Sequence, residues 1–135
     1  MKPLIIIVCS LLLVYSCNCF FSYKDYVKHK IEKSSDIDLK QYKAIIIIPG
    51  SGCTGCVTKA EALFRLRRNS RDTMFIFTDI RTIKGLKTKM SGIDIFNQNN
   101  TYIDSTNIYY GEYVDNIYPL IVNIVSGKIN KVTKL

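Results

Sequence analysis

The segment Ala44-Ile45-Ile46-Ile47-Ile48-Pro49-Gly50-Ser51-Gly52-Cys53-Thr54-Gly55-Cys56 constrains this chain more than any other. A run of β-branched residues this short and this apolar reads as a central strand buried on both faces, and Pro49-Gly50 ends it. Gly50-Ser51-Gly52 turns the chain. From Cys53 the apolar residues take a helical period, with Val57, Ala60, Leu63, Phe64 and Leu66 offered as the inward stripe and Asn69-Ser70 as the stop. Two cysteines three positions apart therefore sit at the junction of strand, glycine turn and helix.

The following segment, Met74 to Ile80, reads as a second buried strand, and the helix between the two is long enough for a parallel crossover. Residues 81–92 predict a weaker helix interrupted by Gly85, and 93–100 a polar loop. Thr101 to Asp104 predict a short edge strand. Leu120 to Ile124, the turn Ser126-Gly127 and Lys128 to Val132 predict a closing hairpin, opened by Pro119. The sum is an α/β fold with a central mixed sheet flanked by helices.

The N-terminus reads differently. Met1-Lys2-Pro3 precedes an apolar run from Leu4 to Tyr15, too short to span a bilayer comfortably and shaped like an export signal. Its end, Val14-Tyr15-Ser16-Cys17, is similar to the bacterial lipobox, with Tyr15 bulkier than usual. This places a lipoprotein-type signal at 1–16, lipidation on Cys17, and a tether with an N-terminal helix at 17–39 before a domain at 40–135. Ordinary signal cleavage near Cys19 is the alternative. A lipidated end would hold the domain at a membrane by roughly 0.8 kcal/mol per buried methylene. Tyr26, Val27 and Ile31 are spaced for one helical face, and Ser34-Ser35-Asp36 ends that element.

Of the five cysteines, at 9, 17, 19, 53 and 56, only the last two fall within the folded domain. A disulfide-stapled miniprotein needs more, so structural stapling explains this pattern poorly. A zinc site needs four ligands, and the chain has one histidine, His29, read as an exposed linker residue, and no second cysteine pair. No cofactor or metal is expected. The net charge of +8 includes Arg65, Arg67, Arg68 and Arg71 late in the predicted helix, where cations complement the helix dipole. A solvated helix end accounts for them, and export argues against a nucleic-acid partner.

At the start of a helix the paired cysteines lie one turn apart, within reach of a disulfide. The first faces the positive helix end, which favours its thiolate, so Cys53 is expected to attack and Cys56, the more buried, to resolve.

On these residues the chain from Ala44 to Val132 resembles the thioredoxin-like fold, in particular the membrane-tethered TlpA/ResA-type thiol-disulfide proteins of bacteria. The resemblance rests on the strand entering Gly52-Cys53-Thr54-Gly55-Cys56, the following helix, the strand Met74 to Ile80, and Tyr118-Pro119 before the Gly127-Lys128-Ile129 hairpin. Cys53 and Pro119 are 66 residues apart, which resembles the family branch with an insertion, here at 81–116. The resemblance implies thiol-disulfide exchange on the periplasmic side of a bacterial membrane. It implies a catalytic pair Cys53 and Cys56, a substrate-binding set of Gly52, Tyr118 and Pro119 with Pro119 as the family's cis-proline, and partners that are cysteine-containing exported proteins or a membrane thiol reductase.

Three departures accompany the resemblance. Gly52 stands where the family has an aromatic residue, Ile47 falls near the position of a buried acid, and the sequence stops at Leu135 without the usual helix after the hairpin. They favour an alternative, a non-catalytic binding module with a structural disulfide. Copper delivery by two soft thiolates is a third reading, with no histidine nearby to support it.

Overall fold

The computed structural model describes residues 21–135. The expected signal peptide at 1–16 and the lipidation site Cys17 lie outside the described residues. The elements run α1 (Tyr23–Lys33), β1 (Ala44–Pro49), α2 (Thr54–Arg67), β2 (Thr73–Thr78), α3 (Ile83–Lys89), β3 (Thr101–Ile103), β4 (Leu120–Val125) and β5 (Lys128–Lys134). The sheet order is β3-β2-β1-β4-β5. β1, β2 and β3 are parallel, while β4 runs antiparallel to β1, and β5 to β4. This is the α/β arrangement with a mixed central sheet that the strand pattern predicts, and it is compatible with a thioredoxin-like fold.

The alternation of side chains along a strand sorts the isoleucine run between two cores. Ile45 and Ile47 join Met74, Ile76, Leu120 and Val122 on the face covered by α1, through Tyr23, Val27 and Ile31. Ile46 and Ile48 join Phe75 and Phe77 on the opposite face, under Val57, Ala60 and Phe64 of α2 and Leu86 of α3. Phe64 stands edge-on to both Phe75 and Phe77, at centroid distances of 5.0 and 5.1 Å, a geometry aromatic rings favour. The sheet is thus the middle layer of three.

α1 covers the sheet face opposite α2 and α3. Ser22 and Asp25 close a reciprocal capping box at its start, and Lys30 and Lys33 lie at its end, each complementing the helix dipole. His29 belongs to this helix rather than to a linker, and is exposed as expected.

Two details of the predicted elements change. Leu66 is 84% exposed and takes no part in the core. At 100° per residue it lies roughly 180° around the helix from Val57. The polar stretch 93–100 also contributes to the core, through a 3-10 turn at Ile95–Asn97 that buries Ile95.

The insertion between β2 and β4 is held by a buried carboxylate. Asp104 accepts from the Thr78 hydroxyl at 2.8 Å and from the backbone N–H groups of Ile108 and Tyr109 at 3.0 and 2.9 Å. The carbonyls of the same two residues accept from α1, Tyr109 from the Tyr23 hydroxyl and Ile108 from the Tyr26 hydroxyl, each at 2.8 Å. Helix, insertion and sheet are therefore joined through both sides of one short loop. Burial raises the Tyr23 phenol well above its usual range, reinforced by the neighbouring Tyr110, Tyr26 and Asp104.

Candidate functional site

The parallel register of β1 and β2 ends at Pro49 opposite Thr78, and the turn that follows is fastened to the neighbouring strand end. Gly50 N–H donates to the Thr78 carbonyl at 2.7 Å, and the Ser51 hydroxyl donates to the Asp79 carboxylate. Gly52 then takes φ = 132°, a region in which side chains other than glycine's are strained. Cys53 N–H donates to the Ile117 carbonyl at 3.1 Å, and the Cys53 carbonyl accepts from Val57 N–H at 2.9 Å to begin α2.

Cys53 is the N-cap residue of α2, and Cys56 lies in its first turn; the two are disulfide-bonded, with a Cα–Cα distance of 5.3 Å. Both are half-buried, so the expected contrast, with Cys56 clearly the more buried, is not present in the oxidised form. No side chain caps this helix end, and its first turn carries no acidic residue. A thiolate released at Cys53 would meet unpartnered first-turn N–H groups and the positive end of the helix dipole, the surroundings that lower a thiol's pKa. Ile47, near which the resemblance would put a buried acid, is fully buried among apolar side chains and supplies no proton relay.

The segment before β4 approaches the bridge from the other side. A β-carbon placed on Gly52 would lie 2.8 Å from Ile117 Cα and closer still to its carbonyl oxygen, so the glycine admits Ile117 rather than merely replacing an aromatic surface. The described residues contain no cis peptide bond. The Tyr118–Pro119 bond is therefore trans, which corrects the expectation of a cis-proline. Pro119 is buried, and its carbonyl accepts from Leu135 N–H at 3.0 Å. Tyr118 is half-buried, its ring under the Lys134 ammonium at 4.5 Å, and Lys134 also pairs with Asp115 at 2.8 Å. Gly52 and Cys53 thus meet the chain at Ile117, one residue before Tyr118 and two before Pro119, a contact residue that the sequence does not reveal.

Among the described residues no group of three or more His, Cys, Asp or Glu side chains converges as a metal site would need, and no helix is long and apolar enough to cross a membrane. No protein-family model, curated protein or solved structure matches the chain.

Proposed function

We propose that the chain is a thiol-disulfide exchange protein of the TlpA/ResA type, working on cysteine-containing exported proteins or with a membrane thiol reductase. The observation that carries this reading is the Cys53–Cys56 disulfide at the uncapped N-terminus of α2. In the oxidised state a partner thiolate attacks the Cys53 sulfur, a mixed disulfide forms, and the electron pair of the broken bond leaves with Cys56 as a thiolate that takes up a proton. A second partner thiolate then displaces Cys53, and the partner gains a disulfide while this chain gains two thiols. Run in reverse, Cys53 attacks a partner disulfide and Cys56 resolves the mixed species. The lipobox-like end at Cys17 supports a periplasmic, lipid-anchored location.

The apolar Ile47 favours a second reading, a binding module whose bridge is structural. Titration against glutathione or dithiothreitol, read by mass spectrometry of alkylated protein, separates the two. An exchange protein is expected at roughly −120 to −270 mV, whereas a structural bridge lies below about −300 mV. The second value would sink the exchange reading.

A further inference from the structure

At the opposite end of the sheet from the disulfide, the segments leading into the three parallel strands enclose a hollow of about 540 Å³, a size ordinary for small-molecule sites. It is built from Gln41 ahead of β1, residues 68–71 between α2 and β2, and residues 97–100 ahead of β3. The six residues of β1 separate it from the turn that carries Cys53, about 20 Å at the rise of an extended strand.

Two guanidinium groups line this hollow and no carboxylate does. Arg65 donates elsewhere, to the Lys89 carbonyl at 2.8 Å, but Arg68 and Arg71 belong to the lining, and no ion pair among the described residues engages either. The carboxylates on adjoining turns stand outside the lining. Asp72 pairs with Lys43 at 3.3 Å, while Asp38 and Asp94 accept from the amide nitrogens of Gln41 and Asn97 at 3.2 and 2.5 Å. The two cations also exceed the roughly half negative charge that α2 presents at its C-terminal end.

The neutral groups of the wall are sorted by the same bonds. Gln98 Nε2 donates to the Asp94 carbonyl at 3.2 Å, and Asn100 Nδ2 donates to the Ser70 and Thr73 carbonyls at 2.9 Å each. Gln41, Asn97, Gln98 and Asn100 thus commit their amide nitrogens within the chain, and their oxygens remain as acceptors. Asn100 is the sharpest case. It is 5% exposed, the one buried residue of the lining, and its Oδ1 has no hydrogen-bond partner among the described residues, a condition that buried acceptors rarely tolerate.

We propose that this hollow binds a sugar phosphate. The phosphate monoester, close to doubly charged at neutral pH, lies against Arg68 and Arg71, and the sugar hydroxyls donate to the amide oxygens, with Asn100 the most deeply placed. Inorganic phosphate brings the charge without the array of donors, and a neutral sugar brings the donors without the charge, so each binds more weakly. The site stands apart from the disulfide and does not depend on the exchange reading.

Isothermal titration of the full chain in detergent with glucose 6-phosphate, ribose 5-phosphate, inorganic phosphate and glucose tests this. At least one sugar phosphate is expected to bind about tenfold more tightly than inorganic phosphate or glucose. Arg68→Gln combined with Arg71→Gln should remove at least that factor and leave the thermal midpoint of the unliganded protein as it was, since neither side chain is buried. Gln98→Leu should weaken the sugar phosphate several-fold and leave inorganic phosphate unchanged. Inorganic phosphate binding as tightly as both sugar phosphates would overturn the proposal. So would sugar phosphate binding that survives the double arginine variant, or none at millimolar concentration.

Discussion

Gly52 and Ile117 meet backbone to backbone although 65 residues separate them in the chain. The contact aligns Cys53 N–H with the Ile117 carbonyl and so places the loop before β4 beside the disulfide. Gly52→Ala adds a methyl group where neither φ nor space permits one. It is expected to cost about 2 kcal/mol or more and to shift the reduction potential of the pair, since the Cys53 hydrogen bond moves with it. Urea unfolding and a redox titration of the variant check both. An unchanged midpoint would mean the loop simply yields.

Tyr23→Phe should cost about 1–2 kcal/mol, because the buried Tyr109 carbonyl loses its donor. The same phenol sets a pH dependence. Its pKa is raised on folding from the ordinary 10.0, so the folded state holds the proton more tightly than the unfolded chain does. Its contribution is fully present below pH 10 and is lost as pH rises from there toward the folded value. Unfolding midpoints of the wild type should therefore fall above pH 10 more steeply than those of Tyr23→Phe, measured in urea from pH 8 to 11.

Asp104→Asn keeps the shape of the side chain but turns one acceptor oxygen into an NH₂ that faces donors. With three short hydrogen bonds converging on the carboxylate, the loss should be about 2–4 kcal/mol. Hydrogen exchange at Ile108 and Tyr109 should accelerate before that of β1, because the insertion loosens first. Uniform acceleration would show that the loop and the sheet open together.

The two faces of α2 should differ sharply. Leu66→Lys, at a position 84% exposed, is expected to change stability by less than about 0.5 kcal/mol. Phe64→Ala, from a side chain with no exposed surface, should cost about 3–5 kcal/mol. Thermal unfolding of the two variants reads this directly, and comparable losses would contradict the helix's orientation.

How far the sequence discloses this structure depends on the range of the forces involved. Ile45 to Ile48, the turn to Cys53 and the hairpin about Ser126-Gly127 carry their signals locally, in β-branched runs and turn residues, and the structure places them as expected. The face of α1 is legible from Val27 and Ile31, but its role as the cover of one sheet face depends on what the rest of the chain leaves open. Leu66 is apolar without being inward, and only its angle around the helix distinguishes it from Phe64. The trans bond before Pro119 and the Ile117 contact are set by neighbours distant in sequence. Asp104 gives no local sign of its role, since an acid at the end of a short edge strand ordinarily reads as solvated surface.

The antiparallel pairing of β1 with β4 brings the end of one strand and the start of the other to the same rim of the sheet. The insertion between β2 and β4 therefore begins and ends at fixed points, and inside it β3 returns to pair with β2. Segments of different length or composition could be exchanged there, in design or over generations, without relocating the two sulfurs. Any such exchange would reach the disulfide through Ile117, the residue of the insertion whose carbonyl accepts from Cys53 N–H.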